Sequence, residues 1–317
     1  MKRNLFEVIV VGTMSAGKST FINALIGTEL LHSANQATTA TITRIHDKDN
    51  KSFFSGSAYN YDGKLVEKSR NINAEILKKW NKAPEIKKIN IDGDIQTIKN
   101  TRAELVIYDL PGPNNSQNDN HELLTMEVIN DKEYGLILYL LNATQFGIND
   151  DRLLLEKIYN TIKQDTKKEI IFILNKADEI DTEKELSIVQ LIKNVEKYLK
   201  EIGFKSPNII TISAKQALLF QKLLNSDVFS RSEKYDLSVL LESPEFLFKG
   251  ASSLSRKNRK LAQSFIQTNL SQEDNEILAN NKSIKEIKEY YYNTGFGEIC
   301  YLLQNKIDHT FNKIKKV

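Results

Sequence analysis

Residues 12–19 place two glycines, a lysine and a serine in the spacing GxxxxGKS, directly after an apolar run. Glycine lets the backbone wrap closely around an anion, and the amides that open a helix direct positive potential at it. In this arrangement Lys18 is expected to reach the β- and γ-phosphates of a nucleotide, and the Ser19 hydroxyl to bind Mg²⁺. Thr20 is expected near the α-phosphate. The other loop residues predicted to contact phosphate are Gly12, Met14, Ser15, Ala16 and Gly17.

The sequence DLPG at residues 109–112 follows a second apolar run. A carboxylate at that point can hold Mg²⁺ through a bound water, and the Gly112 amide can contact the γ-phosphate. Such a turn is common in proteins without any ligand. Behind a phosphate-binding loop, however, it predicts that Asp109 completes a magnesium site.

The threonine-rich segment 35–43 lies between the helix after the phosphate loop and the next predicted strand. A nucleotide-hydrolysing site needs a threonine there to bind Mg²⁺ and to sense the γ-phosphate. Thr38, Thr39 and Thr41 compete for this role. The motif register favours Thr39 and leaves Thr41 and Thr43 as strand residues.

A base-binding loop is predicted at Asn175-Lys176-Ala177-Asp178, which has the pattern NKxD after an apolar run. The Asp178 carboxylate can accept two hydrogen bonds from guanine, one from N1–H and one from the exocyclic amine. Adenine lacks this donor pair, and a site built to pair polar groups rejects a mismatched partner strongly. Asn175 is expected to brace the loop, and the stem of Lys176 to pack on the base.

A second base contact is predicted at Ser213, Ala214 and Lys215, where the Ala214 N–H can reach the guanine carbonyl oxygen. The four motifs come in this order along the chain, each at the C-terminal end of a predicted strand. Ligands bind at that edge of open α/β sheets. Together the motifs predict a domain that binds GTP or GDP with Mg²⁺.

Strand-like and helix-like segments alternate over most of the chain, which predicts an α/β fold. We expect a three-layer P-loop NTPase G domain whose mostly parallel sheet carries helices on both faces. Its core is predicted to span residues 5–215 and 294–315. A small insertion at about residues 51–100 and a helical insertion at about residues 218–282 are expected to extend it.

Within these insertions, Ile89–Ile98 predicts a hairpin around Asp92-Gly93, and Val239–Phe248 predicts a helix. Trp80 is expected to be buried rather than to contact a ligand. A solvated helix face is favoured over lipid or nucleic-acid binding for the basic run at residues 256–260.

The tyrosines at residues 290–292 and the single residue His121 each allow either a structural or a functional interpretation. The three tyrosines at residues 290–292 are expected to pack beneath the second insertion rather than to stack on a ligand. His121 lies close to the predicted switch, but we favour a role as a helix-start residue over a functional one.

The composition is that of a globular protein with a large core: 40% hydrophobic and 27% charged residues. A net charge of +3 is too mild to imply nucleic acid or anionic lipid. The lone Cys300 cannot form an internal disulfide, which fits a reducing cytosol. There is no signal-peptide pattern, and no run approaches the roughly 20 apolar residues of a membrane span. We therefore expect a cytoplasmic protein.

No glutamine stands where it could orient the attacking water, because Pro113 follows the DLPG motif and Met14 is apolar. Water positioning is expected from backbone groups of the switch or from a partner subunit. Ser15 is a candidate for holding a monovalent cation, K⁺ or Na⁺, near the phosphates. The residues expected to act in hydrolysis are Ser15, Lys18, Thr39 and Gly112.

With these motifs in place, the chain resembles the dynamin superfamily, in particular bacterial dynamin-like GTPases. The resemblance lies in GTMSAGKSTFINALIG, ATTATITRI, DLPGPNNS and YLLNATQFGINDD, and covers Phe6 to about Lys215. It implies GTP hydrolysis activated by pairing of two copies through the nucleotide face, and a peripheral link to remodelling of the inner membrane. Dynamins carry a water-positioning glutamine at the position of Met14, so the role of that glutamine cannot be assigned to a residue of this chain. The residues that inherit roles by position are Ser15, Lys18, Ser19, Thr39, Asp109, Gly112, Asn175, Lys176 and Asp178.

The resemblance also implies a helical neck and stalk that flank the G domain. The first predicted strand begins at about Leu5 and the last predicted helix ends the chain, so we expect no long stalk in this sequence. We therefore expect either an excised domain or a compact member that relies on a helical stalk partner or membrane lipid. Two other functions stay open: a monomeric regulatory GTPase acting on the ribosome or RNA, and a scaffold that only binds GTP. No added RNA-binding domain is evident, so no specific nucleic acid is expected.

Overall fold

The computed structural model describes residues 4–32, 41–111, 120–131, 135–147, 149–163, 168–181, 187–270 and 276–310. Within them, nine strands form one sheet and two more form a short hairpin. The sheet strands are β1 (Asn4–Gly12), β2 (Ile42–Asp47), β3 (Ser55–Asn60), β4 (Leu65–Ser69), β5 (Ile86–Gly93), β6 (Ala103–Asp109), β7 (Leu136–Asn142), β8 (Ile170–Asn175) and β9 (Asn208–Thr211). The hairpin strands are β10 (Ile277–Ala279) and β11 (Lys282–Ser283).

Ten α-helices are present in the described residues. They are α1 (Lys18–Ile26), α2 (Ala74–Lys82), α3 (Asn120–Asp131), α4 (Asn149–Ile162), α5 (Ile188–Ile202), α6 (Ala214–Leu224), α7 (Arg231–Glu242), α8 (Arg256–Asn269), α9 (Ile284–Tyr291) and α10 (Gly297–His309). None of these helices is long and apolar enough to cross a membrane.

The strands of the main sheet lie in the order β4-β3-β5-β2-β6-β1-β7-β8-β9. β1 pairs in parallel with β6 and β7, and β8 pairs in parallel with β7 and β9. β2 runs antiparallel to β6 and parallel to β5. The C-terminal ends of β1, β6, β7, β8 and β9 therefore meet at one edge of the sheet, and those of β2 and β5 at the opposite edge.

Alternating residues of each central strand face two separate cores. On β1, Val8 and Val10 pack into the core that contains Phe21 of α1, whereas Ile9 and Val11 pack into the core that contains Leu155 of α4. Strands buried on both faces need nearly continuous apolar sequence, which explains the apolar runs. Helices cover both faces, so the predicted three-layer α/β fold with a mostly parallel sheet is confirmed.

The predicted hairpin around Asp92-Gly93 is wrong. These residues end β5, a single straight strand that runs parallel to β2 with Asp47 in register with Gly93. Ile89 and Ile91 are fully buried, and burying both favours one uninterrupted strand over the local turn preference of Asp-Gly.

The segment predicted as the first insertion continues the main sheet through β3, β4 and β5. Trp80 is fully buried against it, as expected, and a Cβ on Gly56 would lie 3.0 Å from the indole ring. β4 was not predicted from the sequence. It is an edge strand whose Leu65 and Val66 are exposed, so it lacks the alternation of a half-buried strand.

The predicted helix Val239–Phe248 is misplaced. α7 begins eight residues earlier than predicted, where Ser230 and Glu233 form a capping box, and it ends before Pro244. Proline lacks the amide hydrogen that would continue the helix, and it opens a separate short 3₁₀ turn instead. The capping box was the sequence signal that could have placed the start correctly.

The basic side chains at the start of α8 are exposed, namely Arg256, Lys257, Arg259 and Lys260. The preference for a solvated face over lipid or nucleic-acid binding stays a prediction. Tyr291 is buried, with its ring centroid 5.4 Å from those of Tyr292 and Phe296. Tyr290 and Tyr292 are partly buried and pack against the same core, so the expected packing of the tyrosines is confirmed.

Candidate nucleotide-binding site

The loop between β1 and α1 takes a shape that requires glycine at both ends. A Cβ on Gly12 would lie 2.5 Å from the carbonyl oxygen of Leu140. Gly17 has a φ of +82°, and a Cβ there would lie 2.4 Å from Nδ2 of Asn175. Neither position accepts a larger residue without displacing a neighbour, because one clash is with backbone and the other with a buried amide.

Lys18, in the first turn of α1, folds its side chain back over this loop. Its Nζ donates to the carbonyl oxygens of Gly12 at 2.9 Å and Thr13 at 3.3 Å. Burial lowers the pKa of Lys18, whereas the charges of Asp109 and Asp151 raise it. An ammonium group held over a loop of this shape is placed to exchange these carbonyls for phosphate oxygens.

Asp109 ends β6 beside the phosphate loop, in register with Val10 of β1. Its Oδ1 is inaccessible to solvent and has no hydrogen-bond partner in the described residues. Burial raises the pKa of Asp109 to about 6, and the Lys18 ammonium counteracts part of that rise. A buried carboxylate oxygen without a partner fits the ligand set of Mg²⁺, which binds through one or two carboxylates and water.

Asn175, at the end of β8, connects the phosphate loop to the second base loop. Its Nδ2 donates to the Ala16 carbonyl oxygen at 2.9 Å, and its Oδ1 accepts from the Ala214 N–H at 3.1 Å. The residue is only 2% exposed. One buried amide therefore fixes the distance between two loops that are far apart in sequence.

The two base loops are held by local backbone geometry. Lys176 adopts a left-handed conformation with φ of +62°, which turns the chain sharply after β8. The Ser213 N–H donates to the Thr294 carbonyl oxygen at 3.0 Å, and the Ser213 hydroxyl accepts from the Gln216 N–H at 3.2 Å. Thr294 itself lies at the kink before α10, so the last helix supports the base loop.

Asp178 is positioned beside the second base loop. Burial raises the pKa of Asp178, and a hydrogen bond with the Ser213 side chain opposes that rise. The Nζ of Lys215 lies 2.7 Å from Oδ2 of Asp236, and its charge also lowers the pKa of Asp178. The structure thus brings Asp178, Ser213 and Ala214 together, and pairs the Lys215 ammonium with Asp236.

Some predicted residues lie outside the described residues, namely Thr39, Gly112 and Pro113. Ser15, Ser19 and Thr20 lie half-buried in the phosphate loop and the first turn of α1. Thr41 precedes β2, and its hydroxyl lies 3.4 Å from the Ile86 carbonyl oxygen.

Sequence reasoning missed Asn142 and Asp151. Asn142 ends β7 next to Asn175, and its Nδ2 lies 3.5 Å from the Ser15 carbonyl oxygen. Asp151 is fully buried in α4, accepts a hydrogen bond from Tyr139, and adds negative charge near the phosphate-loop lysine. A polar residue at the end of an apolar run was the available signal for Asn142.

The affinity for GDP is expected to fall as the pH is lowered from about 8 to about 4, where even an ordinary aspartate is partly protonated. Only the carboxylate form of Asp178 accepts both guanine hydrogen bonds, and burial raises its pKa, so protonation begins at a higher pH than for an ordinary aspartate. Calorimetry in EDTA measures this without a contribution from metal ligands. An affinity that stays constant over the range would contradict the assignment of Asp178.

Three comparisons with known proteins are consistent with this geometry. The family model of the dynamin family matches residues 8–177, more than half of the 317-residue chain. Dynamin-like protein 1 of Campylobacter jejuni subsp. jejuni (serotype O:23/36, strain 81-176) is 25% identical in an alignment of 288 positions that covers 77% of this chain and 37% of that protein.

Two solved structures of an oligomerised bacterial dynamin pair share the fold. Each superposes with a TM-score of 0.52, at 19% and 17% identity. They match 99% and 100% of this chain, and 51% and 70% of their own chains. The pair is described as providing a mechanism for the long-range sensing and tethering of membranes. The chain spans 37% of the curated relative and about half of the first structure.

Proposed function

The chain belongs to the dynamin family, and we propose that it binds GTP with Mg²⁺ and hydrolyses it to GDP and phosphate. The proposal is carried by the Asn175 side chain, which joins Ala16 of the phosphate loop to Ala214 of the base loop through two hydrogen bonds. A nucleotide has a base at one end and phosphates at the other, so it needs the base loop and the phosphate loop at a fixed distance. The buried amide of Asn175 sets that distance.

In the proposed mechanism, each group acts on a different part of the nucleotide. Lys18 and the loop amides stabilise negative charge on the β- and γ-phosphates, as preorganised donors do in a water-poor site. Ser19, Thr39 and Asp109 would hold Mg²⁺, which when bound offsets phosphate charge. Asp178 selects guanine.

Two parts of the hydrolytic step stay predictions. Backbone groups of the switch, including the Gly112 amide, or a partner subunit would position the attacking water. A monovalent cation near Ser15 would assist, and equal turnover in potassium, sodium and a bulky organic cation would exclude that role.

Replacing Asn175 by alanine is expected to lower the affinity for GTP at least about tenfold and the free energy of unfolding by about 2–4 kcal/mol. The change leaves the Ala16 carbonyl and the Ala214 amide buried without their partner. Calorimetry with GTP and thermal unfolding measure the two effects. The control is Asn160→Ala, an exposed asparagine of α4 whose side-chain oxygen accepts a hydrogen bond from Lys163. A folded Asn175→Ala protein that binds GTP like the control would remove the central support for the proposal.

We also propose that two copies pair through the nucleotide face and that the domain acts peripherally at a membrane. The support is the family and the solved bacterial dynamin pair, which is oligomerised and described as tethering membranes. A closed nucleotide face would exclude water and let the partner supply groups to the reaction.

Turnover per molecule is therefore expected to rise with protein concentration from the nanomolar to the high micromolar range, and further when anionic vesicles are added. Phosphate release measures both effects. A turnover that is flat over this range would favour a monomeric GTPase, and the absence of a vesicle effect would count against the membrane role.

A further inference from the structure

Three aspartates meet at the edge of the sheet opposite the nucleotide loops. Asp47 ends β2, Asp49 follows two residues later, and Asp94 directly follows β5. β2 and β5 pair in parallel, so their ends lie side by side. One carboxylate oxygen from each aspartate lies within 4.8 Å of one from each of the others.

The main indication of a ligand is a buried carboxylate oxygen of Asp47. The residue is fully buried, and its Oδ1 accepts a hydrogen bond from the Ile95 N–H at 2.8 Å. Its Oδ2 is buried too, and no hydrogen-bond partner for it exists in the described part of the chain. Buried polar atoms normally have a partner, and a buried carboxylate oxygen needs one most.

The neighbouring lysine side chains pair with other groups. Lys48 pairs with Glu104 at 2.6 Å, and Lys51 donates to the carbonyl oxygen of Asp92 at 3.0 Å. Among the described residues, none of the three aspartates has an ion pair. Burial, and then the charges of Asp49 and Asp94, raise the pKa of Asp47 to about 7. The cluster therefore lacks a compensating positive charge.

The two outer carboxylates are held in place from the protein side. Asp49 accepts from the side-chain amide of Asn100 at 3.0 Å, and Oδ2 of Asp94 accepts from the Asn50 N–H at 3.0 Å. Asp49 and Asp94 are partly exposed, and Asp94 also lines an open cavity of about 340 Å³. A hydrated ion can therefore reach the cluster and keep some of its water.

We propose that Asp47, Asp49 and Asp94 form a binding site for a divalent cation, with Ca²⁺ as the expected ion. Ca²⁺ takes six to eight oxygen ligands, often from several carboxylates, whereas Mg²⁺ usually binds through only one or two carboxylates and keeps several waters. One oxygen from each of the three carboxylates lies within 4.8 Å of the others, which is close enough for all three to share one ion. Water molecules complete the coordination.

Cation binding at this site stabilises the loop on which the last helix docks. The Lys99 N–H donates to Oε1 of Gln304 at 2.8 Å, and Nε2 of Gln304 donates back to the Lys99 carbonyl oxygen at 2.9 Å. Thr101 bonds to Asp308, one turn further along α10. Asp94 lies at the start of this loop, so an ion on Asp94 ties α10 to the end of β2.

Calorimetry and thermal unfolding of the nucleotide-free chain, stripped with EDTA and titrated with calcium chloride, test the proposal. We expect binding at a single site and a Tm that rises by several degrees at saturation. Asp94→Asn is expected to weaken calcium binding at least tenfold. The matched control is Asp62→Asn, an exposed aspartate of the β3–β4 turn, which should bind calcium like the unmodified chain.

Several outcomes would overturn the proposal. No calcium binding up to about 10 mM would do so, since even weak protein sites saturate below that concentration. Equal binding by Asp94→Asn and the control would do so as well, and magnesium binding as tight as calcium would overturn the assignment to calcium. Asp47→Asn is the second variant: it removes the buried charge, so it should stay folded in EDTA and lose the calcium-induced rise in Tm. A wild-type stability that increases as pH falls through 7, without any calcium effect, would show that a proton occupies the site instead.

Discussion

Replacing Lys18 by alanine is expected to lower GTP turnover by about 10²–10³-fold, the usual effect of removing one preorganised donor to a developing charge. The ammonium lies buried over the phosphate loop, held by the carbonyl oxygens of Gly12 and Thr13. The loss should appear in phosphate release under saturating GTP.

The control for this experiment is Lys79→Ala, an exposed lysine of α2 whose ammonium group pairs with Glu67 of β4. Lys18→Ala also leaves Asp109 and Asp151 without the cation that offsets them, so thermal unfolding should be measured alongside turnover. A folded Lys18→Ala protein with turnover within about threefold of the control would contradict the proposed role, since that ratio is worth less than 1 kcal/mol.

Replacing Asp178 by asparagine is expected to weaken GTP binding by about 10²–10⁴-fold, the loss of two hydrogen bonds to a charged acceptor. Asparagine presents one acceptor and one donor where the carboxylate presents two acceptors. Xanthosine triphosphate carries a carbonyl oxygen in place of the guanine amine, so its base complements the new side chain. The preference of the variant should therefore shift from GTP to the xanthosine nucleotide, as measured by calorimetry.

The comparison with Asp181→Asn, a nearby aspartate outside the predicted motif, separates this effect from a general change of charge. Asp181→Asn should keep the preference for GTP. If Asp178→Asn binds GTP as tightly as the unmodified chain, or discriminates no differently between the two nucleotides, the base does not lie on this loop.

The errors in the predicted fold have different causes. The Asp92-Gly93 dipeptide has a strong local preference for a turn, but pairing with β2 and burial of Ile89 and Ile91 make residues 86–93 one continuous strand. β4 was missed because an exposed edge strand has little sequence pattern to detect. α7 was misplaced because its local capping box at Ser230 was overlooked.

For Asn175, the motif predicted the role of the residue but not its hydrogen-bond partners. The NKxD pattern predicts that this residue braces a loop, but the sequence does not identify its partners, Ala16 and Ala214. Asn142 lies beside it at the end of β7 and contacts the same phosphate loop. It stands in the segment YLLNATQFGINDD that carries part of the family resemblance, but the sequence alone indicated no role for it.

The sequence by itself determined the α/β fold class and the residue types of the phosphate and base loops, because each of these depends on neighbours along the chain. Apolar runs mark buried strands, and a few adjacent residues set the shape of each loop. The tertiary structure alone decided which loops touch and which charges meet. Asp47 and Asp94 are 47 positions apart and become neighbours only because β2 pairs with β5. Strand order depends on burial and hydrogen bonding over the whole sheet, which no local pattern records.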